Sequence, residues 1–363
     1  MIDRAAATSR PSAHVPRVSE PCRSRGVHYL DTLRIHGTLI RFDFDRGTMR
    51  VKALIAAAAL LALIEHVHAH GIAGNRFFPG TMAFDDPAVA DEFLILPSTL
   101  NHPVDSGSPF SVFDASFSWS FARLLTPDVS IGVNGGWIRR TGDGVPTQSG
   151  FDQTSFTLKR LMYKNEIHEM LISASLSWGV GGSGSQAVGA NKPDTVLPSV
   201  TFGKGLGDLP DQLAWLRPFA VAGAVSLEIP LRPTSVNFGF DPASGRFGPL
   251  LGQNVEILHW GFAVEYSTLY LTDRFKPGQL PKDEPLHQLI PLVELAFDSS
   301  RGQKTVATMN PGFAYVEDVW QVSVEVIVPL NSQGGHGLGT RAQLLLFLDD
   351  LAPSLFGKPL LSR

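Results

Sequence analysis

The feature that most limits how this chain can fold is a strict alternation of apolar and polar residues, clearest over residues 110–123. Phe113, Phe117 and Trp119 fall on one face of that segment, and Asp114 and Ser118 fall on the other. Successive side chains of a β-strand point to opposite faces, so the pattern predicts a strand with one apolar and one polar face. The pattern recurs over 129–137, 169–179, 215–229, 258–267, 288–298, 320–328 and 341–348, and more weakly near 151–163, 196–204 and 305–315.

The length of these strands and their aromatic residues predict a membrane barrel. The apolar faces stay continuous over about 9 to 11 residues, the length that a tilted strand needs to cross a bilayer. Aromatic residues also recur near strand ends, as they do at membrane interfaces; they are Trp137, Trp178, Trp215, Tyr270 and Trp320. We therefore predict an all-β fold, an antiparallel transmembrane β-barrel of about 12 strands over residues 110–350. The alternative is a soluble secreted β-sandwich binding protein, which needs shorter strands and no aromatic girdles.

The residues before the barrel have a different composition. Met49, Arg50 and Lys52 precede an apolar run over 53–64, and a small-residue end follows at 65–69. This order is typical of a secretory signal peptide, and the apolar run is too short for a membrane-spanning helix of about 20 residues. We predict a signal peptide over 49–69, preceded over 1–48 by a non-native, disordered upstream extension. The alternative is an Arg-rich, disordered cytosolic tail on a membrane anchor.

Cysteine content and charge fit export to the bacterial outer membrane. The single cysteine, Cys22, lies before the predicted signal peptide, so the exported chain has no disulfide to stabilise it. The residues after Ala69 carry a net charge of −8, which gives no reason to expect nucleic-acid binding. The expected partners are the outer-membrane bilayer, the outer-membrane assembly machinery and a small-molecule solute. Residues 70–109 form either a plug in the lumen or a periplasmic arm, and residues 351–363 form a C-terminal tail.

Three segments of the late strands carry a family resemblance. They are 289–295 (LIPLVEL), 310–315 (NPGFAY) and the strand end 328–330 (VPL). With them, residues 150–350 resemble the outer-membrane "MetA-pathway of phenol degradation" family of transporters. The resemblance implies a barrel in the outer membrane that passes small molecules, among them apolar or aromatic ones. The chain departs from the usual barrel end because it continues past Phe347 to Arg363.

Charged residues recur on the polar faces of the predicted strands. We expect these side chains to face the lumen: Glu169, Glu228, Glu265, Glu294, Glu325, His259 and Arg341. Carboxylates are tolerated in a barrel wall only where they meet water or a cation. One interpretation is a polar, net-acidic lumen that guides a cationic or hydrogen-bonding solute. The other, which the narrow barrel favours, is an internal salt-bridge network that fills a closed barrel.

The sequence gives little support for catalysis. None of the six histidines after residue 69 is followed two residues later by Ser, and the usual hydrolase and zinc motifs are missing from the sequence. If Ala69 is the last residue removed, His70 and its free amine could chelate Cu(II), although a chance histidine is the favoured interpretation. We therefore expect a non-enzyme without a cofactor. The predicted function is passive transport of small molecules, and the alternative is a closed barrel with a structural or binding role.

Overall fold

The computed structural model describes residues 32–35, 38–41, 71–103, 111–241, 243–268, 288–335 and 337–361. The chain divides into two units, Met1–Ala56 and Ala57–Arg363. In the first unit, β1 (Thr32–Ile35) and β2 (Thr38–Arg41) pair as an antiparallel hairpin. The rest of the predicted extension 1–48, the predicted signal peptide and His70 lie outside the described residues.

The described part of the second unit consists mainly of strands, with two short 3₁₀ helices, Gln186–Val188 and Asp211–Leu216, and two short α-helices at its end. Its elements are β3 (Ile72–Ala73), β4 (Arg76–Phe77), β5 (Glu92–Pro103), β6 (Ser111–Thr126), β7 (Val129–Gly142), β8 (Val145–Phe151), β9 (Ser155–Asn165), β10 (Met170–Gly179), β11 (Thr195–Gly205), β12 (Phe219–Pro230), β13 (Thr234–Asp241), β14 (Arg246–Gln253), β15 (Ile257–Tyr266), β16 (Leu289–Ser300), β17 (Val306–Val316), β18 (Trp320–Pro329), β19 (Gly339–Phe347), α1 (Leu348–Leu351) and α2 (Pro353–Phe356). Among the described residues, no helix is long and apolar enough to cross a membrane.

Twelve of these strands close into one antiparallel barrel. Their order around the ring is β6, β5, β19, β18, β17, β16, β15, β12, β11, β10, β9 and β7, and β6 pairs with β7 to close it. Strand β8 continues the sheet only beside the C-terminal part of β7, and β13 and β14 form a separate hairpin. The prediction of an all-β antiparallel barrel of about 12 strands is confirmed.

The barrel sheet begins before residue 110, the start that the alternation predicts. The first barrel strand is β5, which pairs with β6 on one side and with β19 on the other. Sequence alternation missed it because Leu94 and Leu96 line the interior while Phe93 and Ile95 belong to the opposite face. A strand that is apolar on both faces has no period of two in its polarity.

Exposure follows the two faces that the alternation predicts. Phe113 and Phe117 of β6 are 45% and 44% exposed, whereas the inward-facing Ser173 and Ser323 are fully buried. Large apolar side chains are exposed all round the barrel, including Phe156, Trp178, Val225, Trp260, Phe313 and Val326. The barrel therefore has an apolar exterior and a polar interior, the reverse of a water-soluble protein.

Candidate functional site

Residues 71–91, hereafter the plug, lie inside the barrel. Gln321 on β18 donates from its amide to the Gly80 carbonyl at 3.0 Å and accepts from the Gly80 amide at 3.1 Å. Ser173 on β10 donates to the Pro87 carbonyl at 2.6 Å. Strands β18 and β10 are six places apart in a ring of twelve, so the plug reaches opposite walls. These contacts favour the plug over the periplasmic arm for the described residues up to Asp91, and the role of 70–109 as a whole stays a prediction.

Arg76 attaches the plug at the end of the barrel where β10 and β12 begin. Its guanidinium is buried and donates to the Pro218 carbonyl at 2.8 Å and the Arg217 carbonyl at 2.5 Å. Its Nε lies 3.4 Å from Glu169 Oε2, which also accepts from the Gly207 amide at 3.1 Å. Glu169 itself has a left-handed backbone, φ 46°, in the turn before β10. A buried charge is tolerated when it is paired and hydrogen-bonded in this way.

Glu294 on β16 binds the backbone of the plug. Its Oε1 accepts from the Met82 amide at 2.9 Å and its Oε2 accepts from the Ala83 amide at 2.6 Å. Both carboxylate oxygens are therefore used, and the plug backbone at this point donates to the wall. Gln343 on β19 adds a donor to the Thr81 carbonyl at 3.3 Å.

Glu325 and Glu265, two further buried carboxylates, have fewer hydrogen-bond partners than Glu294. Glu325 accepts from Arg341 Nη1 at 2.6 Å, and the two residues are directly opposite each other on β18 and β19. Within the described residues, Glu325 Oε2, Glu265 Oε1 and both side-chain polar atoms of Asn310 have no hydrogen-bond partner. Glu325, Glu265 and Asn310 are each at most 3% exposed.

A cavity of about 590 Å³ lies against the plug, on the side of the β13–β14 hairpin. Plug residues 81–86 form one boundary, and inward-facing side chains of the strands form the others. Hydroxyl and amide residues form the largest group among the strand residues that line it, and they include Ser120, Asn134, Ser155, Thr157, Ser175, Ser177, Ser199 and Ser226. The lumen on this side is thus open space rather than packed side chains.

A group of four charged residues lies along the wall of this cavity. His259 Nδ1 is 2.6 Å from Asp298 Oδ1, and His259 Nε2 is 3.4 Å from Glu228 Oε2. Lys192 Nζ lies 3.2 Å from Glu228 Oε1. His259 is directly opposite Asp298 across β15 and β16, so the sheet register itself brings these groups together.

Sequence reasoning did not assign Gln321, Lys192 or Asp298 to the site, and the poor alternation of its strand left Lys159 a less certain inward cation than Arg341. Lys159 is buried and donates to the Asp86 carbonyl at 2.6 Å and to Asp85 Oδ1 at 3.0 Å. The next residue, Arg160, is also charged and buried. Because adjacent residues of a strand point to opposite faces, β9 carries a charge on both faces here, and its alternation is weak. Gln321 and Asp298 do fall on faces that the sequence predicts as polar, which was the available signal.

The seven predicted lumen residues fall into three groups. Glu228 and His259 line the cavity, whereas Glu169 and Glu294 bind the plug. Arg341 pairs with Glu325, and Glu265 is buried in the barrel wall on β15. Their role along a transport path stays a prediction.

A second cavity of about 590 Å³ lies in the wall formed by β5, β6, β17, β18 and β19. Its lining combines apolar side chains, including Pro97, Phe313 and Val326, with Glu325 and Arg341. Phe313 is 44% exposed and Glu325 is buried, so residues of both faces of the wall border this cavity.

No protein-family model matches the chain, and no curated protein matches it, so the family resemblance stays a prediction. Among solved structures, it is similar to an outer-membrane channel from Pseudomonas putida F1, at 11% identity and a TM-score of 0.49, over 75% of this chain and 99% of that one. It is also similar to the KdgM porin, at 10% identity and a TM-score of 0.40, over 70% of this chain and 98% of that one. A third similar structure is the translocator domain of autotransporter NalP from Neisseria meningitidis, at 9% identity and a TM-score of 0.38, over 83% of this chain and 95% of that one. The barrel architecture rests on the strand pairing of the chain itself.

Proposed function

We propose that this protein is a gated channel of the bacterial outer membrane through which small molecules pass passively. The observation that carries the proposal is the cavity of about 590 Å³ that ends on the plug. In a barrel filled by its own side chains, no such space remains. Here the obstruction is a segment of chain before the first barrel strand, which can move without breaking the pairing of the barrel.

The exterior of the barrel supports its place in a bilayer. Phe117, Trp178, Trp260 and Phe313 are 38% to 48% exposed on different strands. In the β-sandwich alternative, such faces would pack against each other and be buried. A bilayer covers them instead, and delivery there by the outer-membrane assembly machinery is part of the proposal.

The solute class follows from the two kinds of lining. Hydroxyl and amide side chains around the cavity suit a small molecule with hydrogen-bonding groups. The family resemblance implies apolar or aromatic solutes, and the apolar side chains of the wall cavity are the part of the structure compatible with them. We propose that small, uncharged or cationic solutes pass through the channel. Comparing the entry rates of a polar and an aromatic solute shows which of the two classes it admits.

The test is swelling of liposomes that contain the full chain, with arabinose and benzyl alcohol as the two solutes. Arg76→Ala removes the contacts of the plug with Glu169 and with the carbonyls near β12. We expect this variant to admit solute several-fold faster than the unchanged protein. Arg217→Ala is the matched control, because its side chain contacts Asp211 and the Leu209 carbonyl instead of the plug.

The closed-barrel alternative gives a different result. The Arg76–Glu169 and Arg341–Glu325 pairs are the observations that favour it. If the Arg76→Ala barrel assembles with the usual heat-modifiable gel mobility but neither solute enters, the channel proposal is wrong. The barrel then has a structural or binding role.

A further inference from the structure

The described residues 348–361 overlap the predicted C-terminal tail and are hereafter called the tail. They pack against the outside of β6 at the barrel end where β5 begins. The Leu360 amide donates to the Leu124 carbonyl at 3.0 Å, and the Leu361 amide donates to the Leu125 carbonyl at 2.8 Å. The Phe356 ring meets Phe121 edge-on, with 6.3 Å between the ring centroids. Phe121 belongs to the same outward face of β6 as the exposed Phe117.

Arg123 fixes the path of the tail. Its guanidinium donates to the Phe356 carbonyl at 3.1 Å, the Leu355 carbonyl at 3.0 Å and the Lys358 carbonyl at 2.9 Å. It also lies 4.9 Å from the centre of the Phe356 ring, within the range of a cation–π contact. Because three backbone carbonyls and one ring converge on a single cation, the tail has a defined conformation on the barrel.

This fixed conformation leaves apolar side chains uncovered. Leu351 is 50% exposed, Leu355 is 72%, Leu360 is 59% and Leu361 is 67%. Scattered exposed leucines are ordinary, but these four, hereafter the patch, fall within eleven residues of one docked segment. Such a patch indicates that another surface covers it.

We propose that the tail lies on the lipid surface, with these leucines inserted at the boundary between headgroups and acyl chains. This inference rests on the proposed membrane location. Leu355 of the patch is followed in the chain by Phe356, whose ring meets Phe121 on the outward aromatic face of β6 that the bilayer covers. Apolar side chains on a segment of this kind bind at the membrane interface, while charged neighbours such as Lys358 stay with the headgroups.

A second copy of the chain is a weaker candidate for the occupant. A stable protein interface buries about 800 Å² on each partner, which is more than four partly exposed leucine side chains provide. The lipid surface needs no such minimum, because the barrel wall already holds the tail beside it.

The test places one fluorescent probe in the tail of the full chain. In a Cys22→Ser background, Leu355→Cys is labelled with NBD and the protein is reconstituted in phosphatidylcholine–phosphatidylglycerol vesicles. Quenching by acyl-chain nitroxides is compared with quenching by aqueous iodide. Phe117→Cys on the barrel wall is the lipid-exposed control, and Ser332→Cys, exposed in the connection between β18 and β19, is the aqueous control. Heat-modifiable gel mobility verifies that each variant folds.

We expect the probe at residue 355 to be quenched by lipid nitroxides at least half as strongly as the probe at 117, and at least threefold more strongly than the probe at 332. If the probe at 117 reports lipid while the probe at 355 behaves like the one at 332, the tail inference is overturned and the membrane location stands. If the probe at 117 also reports water, the membrane location fails. A probe at 355 that is shielded from both quenchers, together with bis-maleimide crosslinking of two chains through residue 355, identifies a second copy and also overturns the inference.

Discussion

Arg123 on β6 and Asp91, the last residue of the plug, form an ion pair with 2.6 Å between Nη1 and Oδ2. The other carboxylate oxygen of Asp91 accepts from the Leu124 amide, also at 2.6 Å. Asp91 is fully buried, and β5 begins at the next residue. The plug is therefore fixed to the wall at the point where it becomes the first barrel strand, by the same arginine that holds the tail.

Asp91→Ala is expected to destabilise the barrel. The change leaves Arg123 without its carboxylate and the Leu124 amide without an acceptor. Breaking a buried pair costs about 3–5 kcal/mol, and the lower end applies here because Arg123 keeps the tail carbonyls. Urea unfolding of the reconstituted protein, followed by gel mobility, measures the loss. Asp211→Ala is the control, since its exposed pair with Arg217 contributes little; equal midpoints for the two variants would contradict the role of Asp91.

Glu294→Gln is expected to loosen the plug. Glutamine offers one acceptor oxygen in place of two, so either the Met82 or the Ala83 amide loses its partner, at a cost of about 1–3 kcal/mol. The expected result is more frequent opening in single-channel recordings, with assembly intact. Glu317→Gln is the control, because Glu317 accepts from Tyr315 and Gln288 instead of the plug. Identical opening frequencies in the two variants would show that the Glu294 contacts do not restrain the plug.

The double change Glu228→Gln with Asp298→Asn is expected to lower the cation preference of the channel. Among the described residues that line the cavity, carboxylates outnumber cationic groups; the carboxylates are Asp85, Asp86, Glu92, Asp152, Glu228 and Asp298, against Lys159, Lys192 and His259. The preference should fall by about twofold at 0.1 M salt, where screening limits the effect to nearby charges. Reversal potentials in a KCl gradient measure it.

Glu265→Gln is the matched control for that experiment. Sequence analysis treats Glu265 and Glu294 as equal members of the lumen set, but neither lines the cavity. Their neutralisation should leave the reversal potential unchanged. A shift with Glu265→Gln and none with the double variant would place the ion path elsewhere in the barrel.

Asn310→Leu is expected to stabilise the protein. Asn310 is fully buried on β17, directly opposite Glu294, and its amide has no hydrogen-bond partner in the described structure. Removing an unsatisfied buried amide at similar volume should increase the free energy of unfolding by about 1–3 kcal/mol. Asn331→Leu should do the opposite, because Asn331 donates to the Thr305 carbonyl and accepts from the Gly334 amide. A lower urea midpoint for Asn310→Leu would contradict the prediction.

The sequence by itself determined the architecture and the two faces of most strands. The face that a side chain occupies depends only on the local alternation of a strand, so Phe113 and Phe117 could be placed outside and Ser173 and Ser323 inside before any pairing was known. The same reasoning failed at β5. Its inward Leu94 and Leu96 line a cavity bounded by the plug, so both faces of the strand are apolar.

Only the tertiary structure decided what the inward charges contact. Glu228, Glu265, Glu294 and Glu325 are alike in the sequence, since each lies on a polar strand face. Glu294 binds backbone amides more than two hundred residues away, Glu325 binds Arg341 through the register of two neighbouring strands, and Glu228 faces the cavity. These differences depend on which strands adjoin in the closed ring and on the path of the plug across it. Both are long-range pairings, which a local period of two does not encode.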